Sequence, residues 1–119
     1  MALTGRAPVP VTFAVPDVRL PASVEAACYY VVAEALTNIA KHAAASEAHV
    51  EVTVDDRRVV VCVGDDGCGG AQAIPGRGLG GLHDRVAAFG GSFELISPPG
   101  EGTTVRATIP LDAAGSGGP

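Results

Sequence analysis

Apolar and polar positions alternate through Val11-Thr12-Phe13-Ala14-Val15, which predicts a strand. Pro16 to Pro21 is a connection bounded by prolines, and a helix is predicted from about Ser23 to Ala44. Ser23 is its expected N-cap, and Glu25 stands near the positive helix end. Val50, Val52 and Val54 alternate with Glu51 and Thr53, the pattern of a half-buried strand. Asp55-Asp56-Arg57 reads as a turn. Arg58 to Val63 carries a continuous apolar run from Val59 on and is expected to be a central strand. A glycine-dense segment spans Gly64 to Gly81. A second helix is predicted from about Leu82 to Phe89, closed by Gly90-Gly91 in a left-handed C-terminal cap. Ser92 to Ser97 and Thr103 to Pro110 read as two further strands around a turn at Pro98 to Gly102.

Two helices and about five strands with several hairpins predict an α+β fold, a two-layer sandwich with helices on one face of a mixed sheet. Residues 1–10, with two prolines and a glycine, read as a tail or linker, 11–111 as the domain, and 112–119 as a disordered tail. A chain of 119 residues buries roughly two-thirds of its unfolded surface and needs no metal or disulfide staple. Aromatics make up only 4%, so the core must be Val, Ala, Leu and Ile.

The net charge of −5 argues against nucleic acid as a partner, because phosphate neutralisation needs clustered Lys and Arg. Cys28, Cys62 and Cys68 are odd in number and match no zinc spacing. They read as two buried free thiols and one loop thiol in a reducing cytoplasm. No run reaches the roughly 18 apolar residues of a membrane span, and no signal peptide is apparent. Any membrane segments of a parent protein would lie outside this chain.

The first helix carries an anomaly in Glu34-Ala35-Leu36-Thr37-Asn38-Ile39-Ala40-Lys41-His42-Ala43. Glu34, Asn38 and Lys41 fall within about 60° of helical arc, with His42 beside them. This stripe borders the apolar arc of Val31, Val32, Ala35, Leu36, Ile39 and Ala43, where a pocket wall would form. Taken alone, Glu34 and Lys41 read as solvated charges. Asn38, however, is a poor helix former because its side chain competes for backbone hydrogen bonds. Its carbonyl and the Glu34 carboxylate are oxygen donors suited to Mg²⁺, which takes few protein oxygens plus water and phosphate oxygens. Lys41 and His42 would then meet the phosphates.

The glycine-dense segment carries Asp65-Asp66-Gly67-Cys68-Gly69 after the apolar strand, a D-x-G-x-G pattern. It continues into Gly76-Arg77-Gly78-Leu79-Gly80-Gly81-Leu82 at a helix entry. Glycine allows close backbone approach, and N–H groups at a helix start suit phosphate. An Asp ending a buried strand can accept a hydrogen bond from an adenine amino group. Neither a dinucleotide fingerprint nor a Walker loop is present. A glycine-rich loop by itself is as readily a plain turn.

The three pieces in order resemble the N, G1 and G2 boxes of the GHKL ATPase superfamily, and Glu101 to Val105, "EGTTV", resembles its following glycine-threonine segment. The chain is most similar to the ATP-binding catalytic domain of bacterial sensor histidine kinases. Within these it resembles the short-lid subfamily with "EALTNxxKHA" and "GLxGLxxRVxxxGG". The resemblance runs from Val11 to Leu111 and implies a Bergerat ATP-binding fold.

It further implies ATP and Mg²⁺ as ligands. Asn38 would coordinate the Mg²⁺ that bridges the phosphates, with Glu34 by the metal and its waters. Lys41 and His42 would approach the phosphates. Asp65 would bind the adenine amino group, Gly67 and Gly69 would shape the base pocket, and Thr103 would lie on the adenine side. Gly76, Gly78, Leu79 and Gly80 would form the end of the lid over the phosphates. The short stretch between Gly70 and Gly76 implies an open nucleotide site, and Cys68 fills the variable place of the D-x-G-x-G box.

Such kinases pass the γ-phosphoryl to a histidine on a separate dimerisation domain, for relay to a response regulator. His42 belongs to the nucleotide box, His49 reads as the polar face of a strand start and His83 as a helix surface position. None sits in the family's acceptor signature, so the chain is expected to bind ATP as an excised, monomeric, cytoplasmic domain with little self-phosphorylation. A serine kinase of the anti-sigma type is the second reading, and a non-catalytic docking module of the same fold the third. Gyrase-like relatives need a transducer domain for which this chain has no room.

Overall fold

In the computed structural model, residues 10–39, 45–67 and 78–111 are described. Strand β1 is Val11–Ala14, helix α1 Ala22–Asn38, β2 Ala48–Val54, β3 Arg58–Asp65, α2 Gly78–Ala88, β4 Ser92–Ile96 and β5 Thr103–Pro110. The strands form one mixed sheet in the order β1-β2-β3-β5-β4. β1 runs parallel to β2, and the remaining pairs are antiparallel. This is the expected two-layer α+β sandwich.

The core lies between the helices and one face of the sheet. Val59, Val61 and Val63 of β3 are buried, as are Val105, Ala107 and Ile109 of β5. Val24, Ala27, Val31, Ala35 and Ile39 repeat at helical spacing along α1 and meet Leu82 and Val86 of α2 in the same cluster. β3 is central, as its apolar run predicts, but it is buried on one face only. Its alternate residues Val60 and Cys62 are half-buried, because no described element packs on the outer face of the sheet. Cys62 is therefore half-buried rather than fully buried; Cys28, on α1, is half-buried too, and both are free thiols. Burial, with help from Glu25, pushes the Cys28 thiol up to about 11, so it stays protonated and inert at neutral pH.

Several boundaries differ from the sequence reading. The N-cap of α1 is Pro21, whose carbonyl accepts from Val24 and Glu25, while Ser23 sits inside the first turn. Pro21 has no N–H to cap, so the Glu25 carboxylate reaches one residue further back and accepts from Leu20 N–H at 3.1 Å. α2 starts at Gly78 rather than Leu82, so the glycines occupy its first turn. β2 and β3 are longer than their valine runs, because Ala48 and Asp65 pair at the end of the ladder. The C-terminal part of the helix expected to reach Ala44 lies outside the described residues beyond Ile39. The expected C-cap of α2 forms: Gly90 takes φ 79°, its N–H donates to Ala87, and Gly91 N–H donates to Val86.

The chain path decides where the helix ends fall. β1 is parallel to β2, so α1 starts beyond the far end of the sheet and returns toward the end that carries Ala48 and Asp65. α2 leads into β4 at its Ser92 end, so its own N-terminus faces the Asp65 end too. Asn38, the start of α2, Asp65 and Thr103 thereby share one end of the sandwich. No described helix is long and apolar enough to cross a membrane.

Candidate nucleotide site

The site is built on the last residue of β3. Asp65 pairs with Ala48 of β2 on one side and with Thr103 of β5 on the other. Its Oδ1 accepts the Gly67 N–H at 2.7 Å, which turns the chain sharply out of the strand. Its Oδ2 is buried and has no hydrogen-bond partner among the described residues. A buried acceptor without a partner is costly, and native proteins rarely keep one without a use. The free oxygen is the natural receiver for a donor brought by a ligand.

Thr103 is buried beside Asp65, and its Oγ1 lies 2.6 Å from Ser97 Oγ. The turn before it is pressed hard against Asp65. Gly102 takes φ 80°, and a Cβ there would run into the Asp65 carbonyl oxygen. Only glycine meets both demands, the positive φ and the close approach.

Asp66, the next residue, behaves oppositely to Asp65. It is exposed, yet its carboxylate is fully engaged. Oδ1 accepts Ser46 N–H at 2.8 Å and Glu47 N–H at 3.0 Å, and Oδ2 accepts Ser46 Oγ at 2.9 Å. The Glu47 N–H first, and then the Ser46 hydroxyl, hold its carboxyl below the usual range.

On α1, Glu34 and Asn38 are half-buried, as expected for a stripe that borders the core. They contribute oxygen donors at the helix end that faces Asp65. Gly78 opens α2, Leu79 follows, and Gly80 is buried within the first turn. The first N–H groups of that helix have no intrahelical acceptor and so suit an anion. Lys41, His42, Gly69, Gly76 and Cys68 lie outside the described residues. Among the described residues no three His, Cys, Asp or Glu side chains converge as a metal cage. Two oxygen donors without a cage still fit Mg²⁺, whose shell is completed by water and phosphate. His49 is exposed on the outer face of the sheet, and His83 is exposed on α2 with its ring edge-on to Phe93. Both are surface positions, as the sequence places them, but His83 lies in the helix layer beside Phe93, which packs against the core.

Asp66, Ser46 and Gly102 were not among the sequence-predicted site residues. Asp66 was visible only as the variable letter of a D-x-G box, and Gly102 only as part of "EGTTV". Their partners are 20 and about 37 residues away in the chain, which no local pattern reports.

Residues 23–113 match the family described as histidine kinase-, DNA gyrase B-, and HSP90-like ATPase. The chain is 35% identical over 96 residues to the signal transduction histidine-protein kinase/phosphatase DegS of Brevibacillus brevis, covering 78% of this chain and 25% of that protein. It is 34% identical to the sensor histidine kinase YdfH of Bacillus subtilis, covering 71% of this chain and 22% of that one. It thus spans about a quarter of the length of these curated relatives. Among solved structures, the histidine kinase domain of the Erythrobacter litoralis EL346 blue-light activated histidine kinase superposes with a TM-score of 0.73 at 26% identity. That match covers 92% of this chain and 54% of that one.

Proposed function

Since the chain belongs to the histidine kinase-, DNA gyrase B- and HSP90-like ATPase family, we propose that it is the catalytic domain of a sensor histidine kinase. It binds ATP with Mg²⁺ and presents the γ-phosphoryl to a histidine on a separate dimerisation domain, for relay to a response regulator. ATP binding goes with the family; its relative DegS is named a signal transduction histidine-protein kinase/phosphatase and YdfH a sensor histidine kinase.

The observation that carries the reading is the buried Oδ2 of Asp65, without a hydrogen-bond partner among the described residues. It accepts the adenine 6-amino group, while Gly67, Gly69 and Thr103 form the base pocket around it. Asn38 and Glu34 hold Mg²⁺. Bound Mg²⁺ supplies charge neutralisation on the phosphate oxygens. Lys41, His42 and the lid end at Gly76, Gly78, Leu79 and Gly80 receive the phosphates, with the open N–H groups of α2 behind them. The chain's own residues thus bind and orient; phosphoryl transfer depends mostly on such positioning and electrostatics. The domain spans residues 11–111, works in the cytoplasm and is monomeric when isolated. It contacts neither nucleic acid nor membrane, and any membrane anchor belongs to another part of a parent protein.

The test is the melting temperature with and without a non-hydrolysable ATP analogue and Mg²⁺, on wild type and Asn38→Ala. Ligand at about 100 times its Kd adds roughly 2.7 kcal/mol. That corresponds to a shift of roughly ten degrees in a domain of this size. A shift that needs Mg²⁺ and fades in Asn38→Ala is expected. No shift at millimolar analogue would overturn nucleotide binding by the isolated chain. A stable phosphohistidine formed on the chain alone would overturn the separate-acceptor part of the reading.

A further inference from the structure

Asp65 ends a strand, and strand ends fray unless something ties them. Both ladders end at Asp65, which pairs with Ala48 and Thr103, so the turn at Gly67 that holds its side chain would be free to shift. Asp66 prevents this. Its carboxylate takes Ser46 N–H, Glu47 N–H and Ser46 Oγ, and its own N–H reaches Glu47 O at 3.4 Å. All four bonds go to the segment entering β2. The β2–β3 ladder is in effect prolonged by a side chain where the backbone departs from it. From the β5 side, Gly102 is pressed against the Asp65 carbonyl.

Water would solvate the exposed Asp66 carboxylate equally well, so these bonds act on geometry more than on hydration. The geometry reaches the site in two steps. Asp66 fixes where Gly67 begins, and Gly67 N–H holds Asp65 Oδ1 at 2.7 Å. With Oδ1 held, the direction of Oδ2 is set. We propose that Asp66 is a positioning residue: by clasping Ser46 and Glu47 it aims the free oxygen of Asp65 at the nucleotide base. The proposal rests on the reading of Asp65 as the adenine acceptor.

The test compares the affinity of the 119-residue chain for ATP and for purine riboside triphosphate, which lacks the 6-amino group. Wild type, Asp66→Ala, Asp66→Asn and Ser46→Ala are measured by calorimetry with Mg²⁺, with melting temperatures alongside. A hydrogen bond to a charged acceptor gives wild type a preference for ATP of about tenfold or more. In Asp66→Ala that ratio falls toward one, because ATP weakens while the purine analogue scarcely moves. Asp66→Asn keeps an acceptor for both backbone N–H groups and restores most of the ratio. Ser46→Ala, which loses one of three bonds to the carboxylate, lowers it at least about twofold. A merely structural Asp66 would lower the melting temperature and leave the ratio at the wild-type value, which overturns the proposal. If Asp66→Ala does not fold, Ser46→Ala carries the test, and an unchanged ratio there overturns it equally. A wild type without preference between the two nucleotides removes the adenine reading of Asp65 itself, and the role of Asp66 with it.

Discussion

The two ends of β3 use the same residue type for opposite purposes. At the Arg58 end, the hairpin aspartate Asp55 is exposed and leaves no buried oxygen bare. Its Oδ1 accepts Arg57 N–H at 2.7 Å and Arg58 N–H at 2.9 Å, and Arg58 Nε lies 3.7 Å from Oδ2. The turn closes with Asp55 N–H on Arg58 O and Leu111 N–H on Arg57 O. At the other end Asp65 satisfies one oxygen and keeps the second buried and bare. The Arg58 end borders a cleft of about 420 Å³, lined by Arg57, Arg58, Ser92 and Thr108 among others, yet Asp55 is turned to its own hairpin. What differs is the state of the carboxylate. The exposed Asp55 gives its carboxylate to the turn and to water, whereas Asp65 keeps a buried acceptor bare at a cost to stability, as the proposed adenine contact requires.

The contrast breaks most severely at Gly102. Substituting alanine there adds strain at φ 80° and drives a Cβ into Asp65, so a loss of about 3 kcal/mol or more is expected. Gly100, in the same turn and at the same φ, has open space, and Gly100→Ala should lose only about 1–2 kcal/mol. Urea unfolding of the two variants measures the difference. Equal losses would mean that the turn is not braced against Asp65.

Next in size is Asp65→Asn. Removing the anionic acceptor should weaken ATP by about 10- to 100-fold, equivalent to roughly 1.5–3 kcal/mol. Stability should hold or rise, because burying a neutral amide costs less than burying a bare carboxylate oxygen. Binding titrations with thermal melts on the same samples test this, and a large loss of stability without loss of affinity would reverse the assignment.

The smallest effect is expected at the closed end. The Arg57 N–H first and the Arg58 N–H next hold the Asp55 carboxyl below its usual range. A group whose folded pKa is lowered contributes stability above its unfolded pKa and loses it as pH falls through the folded one. Asp55→Ala should therefore melt slightly below wild type at neutral pH, and the gap should close as acid protonates the wild-type carboxyl. Its nucleotide affinity should equal that of wild type. A gap that persists below the carboxylate range would assign the effect to packing rather than to the charged hydrogen bonds.

Much of the molecule was determined by the sequence alone. The period of two in Val50, Val52 and Val54, the helical spacing of Val31, Ala35 and Ile39, and Gly90-Gly91 after α2 are local patterns. Each was legible because backbone preference and core burial act over a few residues. The residue types at the nucleotide end were legible for the same reason, as three short motifs in order.

The tertiary structure decided what local patterns do not encode. Val60 and Cys62 read as core but face a side of the sheet that no described element covers. Ser23 reads as a cap, yet the proline two residues earlier takes that place. Asp65 and Asp66 are neighbours of the same type with opposite fates, because one side chain points into the sandwich and the other toward Ser46 and Glu47. The partners of the Asp66 carboxylate come from Ser46 and Glu47 just before β2, and the Asp65 carbonyl is met by Gly102 of the β4–β5 turn; only the folded sheet brings those distant segments together.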